Sequence, residues 1–357
     1  MSWVLDALTS AGSASVALDF EGTFSDSSGH GRNAIAPVFA AGESEFSPVK
    51  GVVDFAGMLA AIAIPTEACI TGNADRSLVA VVKMPSTITS NQNFLSYGNQ
   101  ATRQAFGLRV SSGPSISIIT YADDFTVSLP LRFLGNWMLI VATHASGGAE
   151  NIYGYLRGDS SPTLIGTRNA PSLSTGSSAF YLNSWLDLSS TANASFISFK
   201  LAAAALLASA LTSAQVLAMA LKIFHSSVLS VDTKINGVGV GRNVRAVHRA
   251  SGKTVGPMMS SSDGSLIATV NCPDAFDAYA FDAYGEMWAS ATLYSTGEKS
   301  FPSTPNQHWY QVTTAGTSGS AEPTWPTDGS NVTDGTCVWQ DMGTMRAPVI
   351  AGPILPS

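Results

Sequence analysis

The sequence contains few charged side chains, which make up 12% of its 357 residues. Its 18 Lys and Arg residues are scattered and are outnumbered by 25 Asp and Glu residues, so the formal net charge is −7. Nucleic-acid binding depends on clustered Lys and Arg side chains that neutralise phosphates. Because no basic run occurs in the chain, we expect no nucleic-acid partner.

Cysteine is also scarce, and Cys69, Cys272 and Cys337 lie far apart. An odd number of widely spaced cysteines argues against a disulfide framework, and no CxxC or Cys/His spacing typical of zinc sites occurs. We therefore expect buried thiols and no bound metal.

The sequence predicts neither a secretory signal nor a membrane span. The stretch "MSWVLDALTSAGSASVALDF" lacks a basic region before its apolar residues and contains Asp6. The apolar run "FKLAAAALLASALTSAQVLAMALKIF" is interrupted by polar residues and is rich in alanine, which gives little transfer energy. A buried strand followed by a helix explains this run. Thr212 and Gln215 have the spacing of a capping box and predict the start of that helix.

The first 224 residues contain short β-rich runs separated by turn-rich segments such as "SSGPS" and "ASGGAEN". This spacing is typical of a β-sandwich. Farther along, "NVRAVHRASGKTVGPMMSSSDGSLIATVN" alternates strand-like runs with turns and predicts a small sheet with one wet face. On that sheet, we expect one face to carry Arg245, Val247 and Arg249, and the other to carry the intervening Val244, Ala246 and His248.

Four segments carry a resemblance to a known fold: "LDFEGTFSDSSGHGRNA", "GVVDFAGMLAAIAIP", "NWMLIVATHASGGAENIYGYLRG" and "ISFKLAAAALLASALTSAQVLAMA". Together they resemble the concanavalin A-like jelly rolls, specifically the laminin-G-like branch. The resemblance implies a sandwich of two sheets with a short helix over residues 212–224. Domains of this branch often hold Ca²⁺ at the sandwich rim, which makes Asp26 and Asp75 candidate ligands, although no Asp-x-Asp cluster accompanies them.

Two later segments resemble parts of phage proteins. "VRAVHRASGKTVGPMMSSSDGSLIATV" is similar to the small transthyretin-like β-sandwiches that recur in phage structural proteins. "QHWYQVTTAGTSGSAEPTWPTDGSNVTDGTCVWQD" contains the pattern Y-x-x-T-x-A-G-T-S-G-x-x-E-P-x-W-P followed by V-x-D-G-x-x-x-W. This pattern resembles a short module of phage tail and virion proteins, and it implies a bacteriophage virion protein.

The tryptophans of this last module have two interpretations. A unit of its size cannot bury enough surface with ordinary side chains, and each Trp buries about 200 Å². We therefore predict a core that contains Trp309, Trp325 and Trp339, with Trp339 the strongest core candidate. The alternative is an exposed platform on which sugar rings stack, with Trp309 or Trp325 as the ligand-binding residue.

The fold prediction is mainly β: a concanavalin A-like jelly-roll sandwich, a small Ig- or transthyretin-like β-sandwich and a small β-module. The predicted division is an N-terminal arm (1–16), the jelly roll (17–226), the small sandwich (227–298), the Trp-rich module (299–345) and a C-terminal arm (346–357). With three prolines and no charge after Arg346, the tail is expected to lie on a neighbouring molecule rather than to form a central strand.

The sequence offers little catalytic chemistry. Glu43 and Glu45 have the spacing of a glycanase acid and nucleophile, but they lie in the Ser/Gly-rich segment "GESEF". No G-x-S-x-G motif or Ser/His/Asp arrangement is evident. Gly237, Gly239 and Gly241 lack the following helix of a phosphate-binding loop. We therefore expect a protein that is not an enzyme.

The expected function is that of a bacteriophage virion structural protein, as a fibre, decoration or tail/baseplate component, with a role in binding glycans or the host surface. A lectin-like host adhesin and a capsule-degrading depolymerase are the alternatives. The expected partners are other virion proteins, copies of the chain in a trimer, and a host surface glycan. The oligomer is motivated by the uncharged tail and by Trp3, Val4, Leu5 and Leu8, because exposed apolar patches usually meet a partner.

Overall fold

The computed structural model describes residues 3–20, 26–33, 47, 52–55, 62–89, 91–177, 180–182 and 199–357. These residues form a mainly β structure of several sheets, and nearly all of the strand pairs are antiparallel. The predicted mainly β class with sandwiched sheets is therefore confirmed.

The first large sheet has the strand order β1-β13-β4-β9-β10-β11, and β2 also pairs with β13. Its strands are β1 (Ala14–Asp19), β2 (Val53–Asp54), β4 (Arg76–Lys83), β9 (Trp137–His144), β10 (Ala149–Leu156), β11 (Thr163–Asn169) and β13 (Lys200–Leu207). The second large sheet has the order β3-β12-β5-β6-β7-β8. Its strands are β3 (Ile62–Ile64), β5 (Gln92–Gly98), β6 (Ala105–Ser111), β7 (Ser115–Ile119), β8 (Phe125–Ser128) and β12 (Phe180–Leu182). Short 3₁₀ helices cover Thr66–Ala68 and Leu131–Phe133.

The central strands of the first sheet, β4, β9 and β13, are buried on both faces, which explains why they are apolar along most of their length rather than alternating. On β4, Leu78 and Val82 belong to the core between the two sheets. Val79 and Val81 belong to a second core on the opposite face. Strands β9 and β13 divide their side chains between the two cores in the same way.

Two helices cover the outer face of the first sheet: α1 (Trp3–Ser10) and α2 (Ser213–Ile223). The predicted capping box is confirmed, since the Gln215 backbone N–H donates to Thr212 Oγ1 at 3.3 Å and the Thr212 backbone N–H donates to Gln215 Oε1 at 2.9 Å. The predicted strand and helix over residues 199–224 are likewise present.

The N-terminal segment is not an exposed arm. Trp3, Val4 and Leu8 are buried, and the Trp3 indole N–H donates to the carbonyl oxygen of Ile223 at 3.2 Å. The prediction that these apolar side chains would be exposed in a monomer is therefore wrong, because they pack on α2 and the outer face of the first sheet.

The next unit contains three small sheets. One has the order β18-β17-β20-β28, and the other two are the pairs β14-β19 and β15-β16. Their strands are β14 (Val228–Asp232), β15 (Lys234–Ile235), β16 (Val238–Gly239), β17 (Asn243–His248), β18 (Thr254–Met259), β19 (Ser265–Thr269), β20 (Phe276–Phe281) and β28 (Val349–Ile354). The predicted alternation on β17 is confirmed, with Val244, Ala246 and His248 buried and Arg245 exposed.

The C-terminal tail folds back on its own chain. Strand β28 pairs with β20 as an edge strand, and Ser357 exchanges two backbone hydrogen bonds with Val228, at 2.9 and 3.0 Å. The expectation of an arm lying on a neighbouring molecule is therefore wrong. Pro348 and Pro353 do not prevent this pairing, because an edge strand tolerates residues without a backbone donor.

The last unit is built on a sheet of order β21-β23-β24-β27-β26, with the short pair β22-β25 beside it. Its strands are β21 (Glu286–Met287), β22 (Leu293–Tyr294), β23 (Lys299–Phe301), β24 (His308–Thr314), β25 (Gly316–Thr317), β26 (Asn331–Asp334) and β27 (Cys337–Thr344). Strands β21 and β22 precede the predicted boundary at residue 299. They nevertheless pair with strands of the module, so its sheets begin earlier in the chain than the sequence indicates.

Candidate functional site

The Trp-rich module has a small aromatic core. Trp339 and Tyr310 are fully buried, and Val312 and Cys337 are buried beside them. Trp288, Tyr294, Trp325 and Val332 pack around this centre. The prediction that Trp339 is a core residue is confirmed. Trp288 takes the place in this core that the sequence had assigned to Trp309.

A buried carboxylate organises the core. Asp334 is 3% exposed, and its Oδ2 accepts hydrogen bonds from the indole N–H of Trp288 at 2.8 Å and of Trp339 at 3.2 Å. Its Oδ1 accepts the backbone N–H of Gly319 at 2.7 Å. Buried polar groups are retained when they are satisfied in this way, so Asp334 fixes the positions of two tryptophan side chains and one loop.

Gly335 is required by the turn that follows Asp334. The hairpin pairs Asp334 with Cys337, and Gly335 has a φ of +61°, in the left-handed region that favours glycine. A Cβ atom added there would lie 2.3 Å from the carbonyl oxygen of Thr317. The Asp-Gly pair of the sequence pattern therefore has a structural role.

Trp325 is held by a second carboxylate. Its indole N–H donates to Glu322 Oε1 at 2.8 Å, and its ring lies 4.3 Å from that of Tyr310, centroid to centroid. Burial alone would raise the pKa of Glu322, but hydrogen bonds from the hydroxyl and backbone N–H of Ser303 and from the Trp325 indole lower it below its ordinary value. These contacts hold Trp325 against the core, although the residue is half-buried rather than fully buried.

Asp341 connects three parts of the module. Its carboxylate meets His308 Nδ1 at 2.8 Å and accepts the backbone N–H groups of Gly329 and Gly343, each at 2.9 Å. Burial would raise the pKa of Asp341, but the hydrogen bond from His308 and those from the two glycine N–H groups lower it below 3.8. Asp341 therefore stabilises the module in its ionised form.

Trp309 lies on the opposite, outward face of the sheet. On β24, Tyr310 and Val312 point into the core, so Trp309 and Gln311 point outward. The Trp309 ring is half-buried. Tyr284 contacts it with ring centroids 5.6 Å apart, and Lys299 places its Nζ 5.0 Å from the ring centroid.

A row of polar side chains crosses the same outward face beside Trp309. Cross-strand pairs join Lys299 to Gln311, Gln311 to Gln340, and Gln340 to Asn331. Paired residues on adjacent strands share a face of the sheet. We name Trp309, Lys299, Gln311, Gln340 and Asn331 the outward platform. It combines one aromatic ring with amides and an ammonium group.

The two tryptophans proposed as ligand-binding residues thus occupy different positions. Trp325 packs between Tyr310 and Trp339, whereas Trp309 lies outside that cluster on the outward face. The sequence did not indicate Tyr284 and Lys299 as neighbours of Trp309. Their distance along the chain hides the contact, and only the order of the strands reveals it.

The candidate calcium ligands are not brought together by any shared contact among the described residues. The Asp26 carboxylate accepts backbone N–H groups of Ala17, Ser28 and Arg32. Burial would raise its pKa, but those hydrogen bonds lower it. Asp75 accepts the backbone N–H of Ser146 at 2.7 Å. Calcium binding therefore stays an untested expectation.

The other residues that the sequence singles out either have a structural role or lie outside the residues that the structure describes. Glu43 and Glu45 lie outside the described residues. Gly237 has a φ of +81° in the turn that joins β15 to β16, which agrees with a strand and loop rather than a phosphate-binding loop. Cys272 and Cys337 are buried as expected, whereas Cys69 is half-buried. Burial raises the pKa of Cys69 to about 12.

Two groups of titratable side chains were not predicted. In the jelly roll, His144 and Glu150 are fully buried, and Arg168 pairs with Glu150 at 2.7 Å and with Asp123 at 3.2 Å. These partners account for the buried charges as a structural network. In the small sandwich, His248, Cys272 and Asp274 meet although they share no zinc-like spacing in the sequence. The expectation of no metal site had rested on that spacing alone.

None of the helices among the described residues is long and apolar enough to cross a bilayer. No protein-family model matches the sequence, and neither does any curated protein.

Several solved structures are similar in shape to this chain. One is the botulinum neurotoxin serotype D ligand binding domain in complex with N-acetylneuraminic acid, with a TM-score of 0.48 and 8% identity over 94% of this chain and 93% of that one. Another is the binding domain of Paraclostridial Mosquitocidal Protein 1, with a TM-score of 0.46 and 11% identity over 92% of this chain and 91% of that one. A third is the botulinum neurotoxin serotype C1 binding domain, with a TM-score of 0.45 and 12% identity over 85% of this chain and 83% of that one. At these values we assign no function from the likeness.

Proposed function

We propose that this chain is a non-enzymatic, carbohydrate-binding component of a bacteriophage virion and that its outward platform binds the sugar. The observation that carries the proposal is the position of Trp309, which is held on the outward face while the other tryptophans of the module, Trp288, Trp325 and Trp339, are used in its core. The virion assignment rests on the sequence pattern between Tyr310 and Trp339.

The chemistry of the platform suits a sugar. The C–H groups of a pyranose ring pack on an aromatic face, and its hydroxyl groups exchange hydrogen bonds with amides that both donate and accept. Gln311 already donates its amide to the carbonyl oxygen of Gly297 at 3.1 Å, which fixes the orientation of this side chain. The ammonium group of Lys299, near the Trp309 ring, favours a sugar that carries a carboxylate.

Binding is tested with the full chain on a glycan array, followed by titration of the sugars that bind. Trp309→Ala and Gln340→Ala should each weaken binding at least tenfold while the melting temperature is kept. Met259→Ala is the matched control, because it also removes a large, exposed side chain, 64% accessible, but on β18 of the small sandwich. Full binding by Trp309→Ala would contradict the platform.

A lectin-like host adhesin and a capsule depolymerase remain the alternatives, and a second assay separates them. Release of reducing sugar from host polysaccharide by the purified chain would favour the depolymerase. Labelling of purified virions with an antibody against this chain tests the virion assignment, and absence of label would contradict it.

We also propose that the chain forms a homo-oligomer, and a trimer is the first state to test. The buried N-terminal helix does not support an oligomer. The support comes from exposed apolar side chains of the small sandwich, including Ile267, which is 73% accessible, and Ile350, which is 64% accessible. Light scattering at high protein concentration tests it, and a monodisperse monomer would contradict it.

A further inference from the structure

Three side chains of different chemistry meet at one end of the small sandwich. His248 ends strand β17, and Cys272 and Asp274 lie in the connection between β19 and β20. His248 Nε2 is 3.6 Å from Cys272 Sγ and 3.3 Å from Asp274 Oδ2. Imidazole nitrogen, thiolate sulfur and carboxylate oxygen are the ligand atoms that zinc takes in proteins.

The geometry differs from that of a catalytic triad. In a triad, one ring nitrogen of the histidine faces the nucleophile and the other faces the carboxylate. Here the same nitrogen, His248 Nε2, faces both Cys272 and Asp274. Cys272 is also fully buried, which does not suit attack on a substrate. A single proton on Nε2 cannot be directed at both partners, whereas a cation between the three atoms contacts all of them.

The other ring nitrogen is held in the way that metal-binding histidines require. His248 Nδ1 lies 2.7 Å from Ser251 Oγ, which also accepts the backbone N–H of Lys253 at 3.4 Å. When Nδ1 carries the proton and donates it to Ser251, the Nε2 lone pair points toward Cys272 and Asp274. Such outer hydrogen bonds fix the tautomer and ring orientation of a ligating histidine.

Two of the three separations match the edges of a coordination tetrahedron. Bonds of about 2.0–2.1 Å from zinc to nitrogen or oxygen and about 2.3 Å to sulfur put nitrogen and sulfur ligands about 3.5 Å apart, and nitrogen and oxygen ligands about 3.4 Å apart. The observed separations are 3.6 and 3.3 Å. All three ligand atoms lie within 4.8 Å of one another.

The cluster has a path to solvent on one side. The Asp274 side chain is 34% exposed, and it lines a shallow cleft together with Arg249, Ala250 and Ala275. The Arg249 guanidinium is paired with Asp277 at 3.2 Å, which offsets its charge near the cleft. Three protein ligands beside a cleft leave room for a water molecule as the fourth ligand.

From this geometry we infer that His248 Nε2, Cys272 Sγ and Asp274 form a binding site for a divalent cation of the zinc class. The bound ion links the end of β17 to the segment that enters β20. It therefore stabilises the small sandwich, because an ion that binds only the folded state raises the free energy of unfolding by RT ln(1 + c/Kd), where c is the free ion concentration.

The test uses the full chain without a polyhistidine tag, reduced, stripped of metal and dialysed against Zn²⁺. We expect one equivalent of retained zinc per chain and a higher melting temperature. Substitution with Co²⁺ should give cobalt–thiolate charge-transfer absorption, which reports on Cys272 directly. Absence of stoichiometric zinc retention in the wild-type chain would overturn the inference.

Variants identify the ligands. Cys272→Ser should abolish the thiolate absorption, and Asp274→Asn should weaken zinc binding at least tenfold. The second variant guards against loss of folding, because Asp274 is partly exposed whereas Cys272 is buried in the core. Asp277→Asn is the control, since it removes a nearby carboxylate that pairs with Arg249 rather than with the cluster. Unchanged zinc binding in both ligand variants would also overturn the assignment.

Discussion

Trp339 donates its indole N–H to Oδ2 of Asp334 at 3.2 Å, five residues earlier in the chain and directly before the hairpin turn. The same oxygen accepts the indole N–H of Trp288. One buried carboxylate therefore sets the geometry of an aromatic core in a unit with few aliphatic side chains. This relationship gives a structural reason for the spacing V-x-D-G-x-x-x-W in the sequence.

Replacing this carboxylate should unfold the module. Asp334→Ala leaves the buried indole N–H of Trp339 and the half-buried N–H groups of Trp288 and Gly319 without their acceptor, and each unsatisfied buried donor costs about 1–3 kcal/mol. We expect the free energy of unfolding to fall by more than about 3 kcal/mol in urea, followed by tryptophan fluorescence. Asp328→Ala, whose carboxylate is exposed, is the control and should have little effect. A native-like transition in Asp334→Ala would show that the core does not depend on this acceptor.

The tryptophans of the module should respond differently to truncation. Trp339→Ala removes a fully buried ring and should cost about 3–5 kcal/mol, more than a unit of this size can lose and stay folded. Trp309→Ala removes a half-buried ring from the outward face, and we expect the fold to persist. Limited proteolysis of the full chain measures both. Equal resistance of the two variants would contradict the division into core and platform.

The predictable parts of the fold are those encoded by local pattern. The cap of α2 was readable because Thr212 and Gln215 are three residues apart. The buried face of β17 was readable because strands alternate with a period of two. The positions of the N-terminal helix and the tail are not predictable from local pattern, because burial of Trp3 on α2 and pairing of β28 with β20 join positions far apart in the chain.

The candidate sites show the same limit. The sequence singled out Trp309 by its type, but not Lys299 or Tyr284, which only the strand order and packing bring beside it. The His248, Cys272 and Asp274 cluster spans 24 residues between its first two members. No short motif contains all three residues, so residue spacing in the sequence does not indicate the cation site that we propose.

The stability of the module should depend on acid pH through Asp341. Its pKa in the folded state lies below the ordinary value of 3.8, because hydrogen bonds from His308 and two backbone N–H groups outweigh the effect of burial. The ionised group therefore contributes stability above pH 3.8, and that contribution is lost as the pH falls through the folded-state pKa.

We expect the urea midpoint of the wild-type module to fall more steeply than that of Asp341→Asn between neutral pH and pH of about 3. Tryptophan fluorescence measures both midpoints. Asp232→Asn is the control, because its carboxylate is exposed and lies in the small sandwich. Parallel pH profiles for wild type and Asp341→Asn would show that this carboxylate does not contribute.

The last prediction concerns the tail. Deleting residues 347–357 removes the ladder between β28 and β20, the hydrogen bonds of Ser357 with Val228, and the bond from Arg242 Nη2 to the carbonyl oxygen of Ala347 at 3.2 Å. Strand β20 would then become an edge with unpaired backbone groups. We expect faster amide hydrogen exchange over Phe276–Phe281 and a lower melting temperature of the small sandwich, with no change in the number of chains per particle.

Leu355→Ala is the matched control for the truncation, because this side chain is 72% exposed and its removal keeps the ladder. If the tail served instead as an arm on a neighbouring molecule, the truncated chain would dissociate while exchange in β20 stayed slow. The two outcomes are separated by light scattering and hydrogen exchange on the same sample. The hydrogen bonds between Ser357 and Val228 favour the first outcome, faster exchange in β20 without dissociation, because they join Ser357 to strand β14 of the same chain.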